Sequence, residues 1–319
     1  MKRILAIGEL LIDFVPHQRG CALREVESFT RVAGGAPANV VTAVSRLGGS
    51  GAMVSQVGND AFGEHIIDVL GKNGVDTSYV FKTDSANTGL AFVSLDSTGN
   101  REFSFFRNPS ADMLLSPEQI APEMLADCSV LHFCSVDLVD RPVKEAHRKL
   151  LEMAQERHVT ISFDPNVRLP LWDSPKSCRD AIREFLPYAN IVKLSDDELE
   201  FVTGCRTEEE AAELLFGMNC EMLILTKGPD GSSVYTKTAQ AHRAALPVKV
   251  VDTTGAGDSF IGSFLFQLVR DKVTLDRIAQ LSEQKLGEYL DFSARYASIT
   301  CQQQGAVMAT MAEMEAYHL

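Results

Sequence analysis

No two of the seven cysteines (Cys21, Cys128, Cys134, Cys178, Cys205, Cys220 and Cys301) stand in a C-x-x-C spacing, and their number is odd. This excludes a disulfide frame and a thiolate zinc site, and it is the usage of reduced thiols in a cytoplasmic protein. The seven histidines form no H-x-x-x-H pair, so the common helical zinc arrangement is absent as well. No apolar run approaches the ~18 residues of a spanning helix, and the first one, at 4–7, is cut short by Gly8 and Glu9. Positive charge is scarce: 30 Lys and Arg against 43 Asp and Glu give a net charge of −13. A nucleic-acid partner needs a basic surface to displace counterions, and an anionic membrane needs one too, so neither is expected. The two best-known phosphate loops are also missing. G-x-x-x-x-G-K-[ST] occurs nowhere, and Gly255, Gly257 and Gly262 do not fit G-x-G-x-x-G.

What is present is ordinary globular composition, 45% hydrophobic and 23% charged over 319 residues, enough for a sizeable core. Residues 3–7 read as a first buried strand, 51–57 as a strand and 61–70 as a helix. From 116 onward strand and helix patterns alternate, with helices at 117–126, 142–157, 177–186 and 208–216 and strands at 130–134, 159–163, 191–194 and 222–226. Such alternation requires parallel strands with helical crossovers, an α/β sandwich. Two stretches break the rule. Residues 88–108 carry two alternating runs around Ser97, Thr98, Gly99 and Asn100, the pattern of a hairpin, and residues 14–32 are irregular. Together they are expected to form a small β lid on a single domain spanning 1–319. A lid excludes water from a group transfer.

The stretch 252–260, DTTGAGDSF, organises the rest. An apolar segment at 246–251 leads into it, and Phe260, Ile261, Phe264, Leu265, Leu268 and Val269 follow at helical spacing. The expectation is strand, glycine turn, helix. The first N–H groups of that helix lack partners within it and sit at the positive end of its dipole, which suits an anion. Asp258 would repel a phosphate there unless it had a task, such as accepting a proton. The bland alternative is an acidic residue that merely complements the dipole, and local chemistry leaves both open. A second glycine-led helix start lies at 34–49, GGAPANVVTAVSRLGG, with Pro37 in the first turn and Asn39 beside it. That asparagine either caps or bonds a sugar hydroxyl.

Polar groups gather where strands should end: Asp13 early in the chain, Asp164, Asn166 and Arg168 in DPNVR, Lys193, Ser195 and Glu198, and then Thr226, Lys227 and Gly228. In open α/β sheets ligands bind at that rim. Arg168 can hold phosphate as a fork and Glu198 can hold Mg2+, while each alone could equally be a surface ion-pair partner.

GGAPAN, DPNVR, S-x-x-E at Ser195–Glu198, TKG and DTTGAGDSF, in this order over nearly the whole chain, resemble the PfkB, or ribokinase-like, carbohydrate kinases. The resemblance implies a three-layer α/β/α sandwich with a mostly parallel sheet and a small β lid. It also implies transfer of the γ-phosphoryl of ATP to a hydroxymethyl group with Mg2+ and K+. By the same resemblance Asp258 is the general base, and Gly255, Ala256 and Gly257 form the anion hole. Asp13, Gly34, Gly35, Asn39 and Arg168 serve the acceptor side, and Lys193, Thr226, Lys227, Gly228 and Gly231 the nucleotide. Glu198 serves Mg2+, and Asp252 with Thr254 serves K+. Many members carry asparagine where this chain has Ser195. The strings SFDPNVRLPLW, FRNPSADMLL and VKLSDDELEFVTG look most like bacterial fructokinases, which implies D-fructose as acceptor and sets Arg107 and Asn108 near it. Relatives that act on 2-keto-3-deoxygluconate or aminoimidazole riboside are the alternatives, and a sugar-binding regulator on the same fold is a reading of another class. Pairing through the lid implies a homodimer.

Overall fold

In the computed structural model, which describes residues 2–18, 20–95 and 101–317, period-two burial in the central strands dictates the layering. In β1 (Arg3–Ile7) Ile4 and Ala6 enter one hydrophobic core while Leu5 and Ile7 enter another. In β11 (Met222–Thr226) Met222 and Ile224 face the first core, and Leu223 and Leu225 face the second. A sheet apolar on both faces needs cover on both. The first core is closed by α1 (Ala36–Arg46), α2 (Ala61–Lys72), α7 (Ala256–Arg270) and α8 (Glu283–Cys301), with α9 (Met311–Ala316) beside them. The second is closed by α3 (Pro142–Glu156), α4 (Pro175–Phe185), α5 (Asp196–Thr203) and α6 (Glu208–Phe216). This is the three-layer α/β/α sandwich.

Among the described residues the main sheet runs β13-β12-β11-β10-β9-β8-β1-β4-β5. The strands not yet delimited are β4 (Ser50–Gly58), β5 (Asp76–Thr83), β8 (Cys128–Cys134), β9 (Thr160–Asp164), β10 (Ile191–Ser195), β12 (Ser232–Thr236) and β13 (Gln240–Arg243). Pairing is parallel from β5 through β11, and β12 and β13 add an antiparallel edge. A second sheet, β3-β2-β6-β7, is built from β2 (Leu11–Pro16), β3 (Phe29–Gly34), β6 (Gly89–Leu95) and β7 (Arg101–Phe106). Phe14 stacks on Phe92 with centroids 4.6 Å apart, and Phe29 and Phe106 meet Phe92 edge-on. The turn 97–100 expected within the hairpin lies outside the described residues.

Two expectations are corrected. Residues 246–251 form no strand: Pro247 lacks the N–H a sheet ladder needs, β13 already occupies the sheet edge, and Val250 and Val251 lie exposed. The segment is held instead by the Val251 N–H donating to Cys301 O at 2.8 Å. The helix expected at 117–126 is two short 3-10 turns, Pro117–Gln119 and Pro122–Leu125, because Pro122 can neither donate nor accommodate the preceding turn. No helix among the described residues is long and apolar enough to cross a membrane.

Candidate active site

The C-terminal ends of β1, β10 and β11, the DPNVR loop after β9 and the starts of α1 and α7 surround one cavity of about 550 Å3. Its wall includes Asp13, Gly35, Asn39, Arg168, Lys193, Glu198, Thr226, Thr254, Gly255, Gly257 and Asp258, so residues more than 200 positions apart in sequence meet here. The rim forms because parallel strands all end on one side, and each hands its next few residues to the same opening.

Both helix starts at the cavity depend on glycine. Gly255 caps α7 at φ 75°, and a Cβ there would stand 2.5 Å from the Ala306 Cβ. Gly35 caps α1 at φ 124°, and a Cβ would come within 2.2 Å of the Glu9 carbonyl oxygen. Only glycine meets both conditions. The two helices therefore bring Asn39 and Asp258 face to face, with Asn39 Nδ2–H donating to Asp258 Oδ2 at 2.8 Å.

Burial raises the Asp258 carboxyl to about 6; the Asn39 hydrogen bond opposes this, Asp164 adds to it, and Lys193 and Arg168 pull it down. Lys193, itself buried, pairs with Asp164 at 2.9 Å, and its ammonium would lie 3.0 Å from a Cβ on Gly257. The Asp164 and Glu198 charges hold Lys193 protonated far above its ordinary value despite burial. Glu198 is buried at the start of α5 and accepts N–H bonds from Val167 at 2.6 Å and from Ser195 at 2.9 Å. Ser195 thus serves through its backbone, as the N-cap of α5. Asp252 Oδ1 accepts from the Thr254 N–H and hydroxyl at 2.9 and 2.8 Å, and its Oδ2 accepts from the Gly305 N–H at 2.9 Å. The loop before α7 is thereby tied to the loop after α8. The Ala256 N–H donates to Thr253 O at 3.2 Å.

Other expected site residues are not part of this wall. Arg107 is buried, and its Nη2 donates to Asp112 and, at 2.6 Å, to Asp137. The guanidinium thus belongs to an interior ion cluster with two carboxylates and is not among the lining residues of the cavity. Asn108 is exposed beside it. Lys227 turns to Glu208 and Ser233, each at 2.8 Å, and Gly228 and Gly231 belong to the turn leading into β12; none of the three is among the lining residues. Gly34 lines a smaller neighbouring cavity of about 220 Å3 behind α1, together with Asn39, Arg46 and Met308. Wall residues not foreseen as site residues include Leu11, Phe105, Val136, Leu171, Asp197 and Thr253; Thr253 carries a signal, lying inside DTTGAGDSF, whereas Leu11, Phe105 and Val136 reach the cavity only through tertiary packing.

A cavity at the carboxyl edge of a parallel sheet, with a part-buried carboxylate at a glycine-led helix start, is the ligand position of an α/β enzyme acting on a small molecule, and it suits phosphoryl transfer. The chain matches the pfkB family of carbohydrate kinases over residues 1–312, and it belongs to that family. It is 42% identical over 317 residues to fructokinase-2 of Solanum lycopersicum, covering 99% of this chain and 95% of that protein. The structure of a Xylella fastidiosa fructokinase with bound ATP superposes with a TM-score of 0.90 at 31% identity, covering 98% of this chain and 97% of that one. A Vibrio cholerae O395 fructokinase with fructose, ADP and calcium ion bound superposes with a TM-score of 0.86 at 29% identity, covering 99% of both chains.

Proposed function

We propose that this protein is an ATP-dependent fructokinase that moves the γ-phosphoryl group of ATP to the primary hydroxyl of D-fructose, giving fructose 6-phosphate and ADP. The observation that carries this reading is Asp258, part-buried at the start of α7 and oriented by Asn39 inside the shared cavity. As the sugar oxygen bonds to phosphorus and the bridging oxygen of ATP leaves, the hydroxyl proton passes to the Asp258 carboxylate. Its raised proton affinity fits that task near neutral pH. The start of α7 faces the charge that develops on the phosphoryl oxygens. Asp13, Gly35 and Asn39 orient the sugar, and Thr226 lies on the nucleotide side.

No group of three or more Asp, Glu, His or Cys able to hold a metal exists among the described residues. That fits Mg2+, which takes one or two carboxylates plus substrate phosphates and keeps several waters. Glu198 would hold it directly or through water, since each carboxylate oxygen retains a second lone pair beyond the N–H it accepts. When bound, the ion screens phosphate charge. Asp252 and Thr254 are the candidates for K+. The exposed Phe106 on the outer strand of the second sheet, 62% accessible, supports a homodimer formed through that sheet, which we read as the lid. Replacing Phe106 with Glu should yield monomer mass in analytical ultracentrifugation; a wild type that sediments as monomer refutes the pairing. We place the protein in the cytoplasm on its reduced cysteines.

The deciding experiment is coupled ADP release with Mg-ATP and K+ against fructose, ribose, 2-keto-3-deoxygluconate, aminoimidazole riboside, adenosine and no sugar. Turnover strongest with fructose is expected. Turnover with another acceptor alone removes the sugar assignment, and silence throughout removes the kinase.

A further inference from the structure

The chain passes between the main and second sheets four times: at residues 8–10 between β1 and β2, at Gly35 between β3 and α1, at 84–88 between β5 and β6, and from Arg107 onward after β7. One buried cluster ties these passages together. Glu9, on the first, is 3% exposed, and its Oε1 accepts the Ala36 N–H just past the second at 2.8 Å. Arg107, on the fourth, donates to Asp112 in the same passage and to Asp137 beyond β8. Ala111, also on the fourth, donates its N–H to Asn87 O on the third at 2.9 Å. Within the cluster Glu9 Oε2, Asp137 Oδ2 and Arg107 Nε and Nη1 are buried without a hydrogen-bond partner. Unsatisfied interior groups of opposite sign are costly and call for an explanation.

We propose that Glu9 is a positioning residue for phosphoryl transfer: its carboxylate couples the start of α1, and through Asn39 the base Asp258, to Arg107 where the second sheet joins the main one. The coupling to turnover rests on the kinase reading above; the coupling of the passages does not. Glu9 lines the active-site cavity, so the group that sets the sheet junction also borders the acceptor. Burial raises its carboxyl to about 7, against the pull of Arg107 and the Ala36 N–H, while Asp112 adds to the rise. The other charged or titratable groups acting in this cluster are Asp137, pushed up by burial and by Asp112 and Glu9 against the pull of Arg107, and Cys134, pushed up by burial. Ionised, Glu9 answers the Arg107 charge; protonated, it keeps Ala36 but loses that attraction.

The test compares wild type, Glu9→Ala and Glu9→Gln by deuterium uptake in residues 33–46 and by the pH profile of kcat per folded molecule. Glu9→Ala should raise uptake and lower kcat about 10- to 100-fold, the effect of leaving a buried N–H unmet, with little change in KM for ATP. Glu9→Gln, whose amide oxygen accepts the same N–H, should restore protection and recover kcat to within several-fold of wild type. Its acid limb should carry one ionisation, that of Asp258, where the wild type carries two. Unchanged uptake in Glu9→Ala, or a Glu9→Gln profile superimposable on the wild type, overturns the proposal. Should Glu9→Ala not fold, the Glu9→Gln profile decides. A wild type silent with every sugar refutes the kinase reading alone, and the uptake comparison still judges the coupling of the passages.

Discussion

Replacing Asp258 with asparagine should cripple the enzyme and strengthen the fold. The carboxyl is raised from 3.8 to about 6 by burial ahead of all other causes. A folded-state value above the unfolded one means that ionisation penalises the folded state. The penalty is absent below the unfolded value, grows as pH rises from 3.8 to about 6, and is complete at neutral pH. At roughly 1.4 kcal/mol per pK unit, a shift of this size corresponds to about 3 kcal/mol. Asparagine carries no charge to desolvate, and its side-chain oxygen still accepts the Asn39 N–H. Asp258→Asn should therefore raise Tm at pH 7.5 by roughly 5 °C, a gain that fades as pH falls through 6 toward 4. Its kcat should drop about 10²- to 10⁴-fold, the worth of a positioned base. Differential scanning calorimetry across pH and the coupled ADP assay measure the two arms. Near-normal turnover of folded Asp258→Asn refutes the base, and a Tm unchanged at pH 7.5 refutes the desolvation argument.

Two further perturbations follow from the same geometry. Asn39→Ala removes the donor 2.8 Å from Asp258 Oδ2, a contact that lowers the carboxyl. The acid limb of kcat/KM should then move to higher pH by about one unit, since a hydrogen bond to a charged group contributes about 1.5–3 kcal/mol; an unmoved limb in the pH–rate profile counts against it. Glu198→Gln cannot accept both the Val167 and the Ser195 N–H. Urea unfolding should show a loss of about 1–3 kcal/mol, and the Mg2+ concentration for half-maximal velocity should rise at least about tenfold. An unaltered Mg2+ titration removes Glu198 from the metal.

The elements most legible in the sequence are those whose burial is decided locally. The strands at 3–7 and 222–226 and the helix at 208–216 coincide with β1, β11 and α6, because a short continuous apolar run or a Thr207 cap fixes their ends. The region of α8 shows no clean apolar stripe, since Gly287, Ser293, Ser298 and Thr300 share its buried face with Leu286, Tyr289 and Tyr296. At the site, Asp258 and Asn39 were legible because glycine-led helix starts have unusual sequences. The ion cluster of Arg107 was not, since beside Asp112 nearby in the chain it takes Asp137, 30 residues away, and no local pattern brings that carboxylate to the end of β7.

The cavity also resolves an apparent conflict between a net charge of −13 and a polyphosphate substrate. Its wall brings Glu9, Asp13, Asp197, Glu198 and Asp258 against only Arg168 and Lys193, and Lys193 is already committed to Asp164 at 2.9 Å. On the kinase reading proposed above, Arg168 is then the lining cation left to meet the nucleotide's charge, and one guanidinium is too little for a triphosphate. What remains is backbone: the start of α7, where glycine lets a ligand approach dipoles that cost nothing to orient at the moment of transfer. On that reading Lys193, paired to Asp164 and lying beside Gly257, would serve as a brace for that helix start as well as a counterion. A buried pair of this kind is costly to break and specific in direction. On the kinase reading, the same excess of carboxylates would favour a metal-bound nucleotide over the free polyanion, because the metal offsets phosphate charge that the wall would otherwise repel.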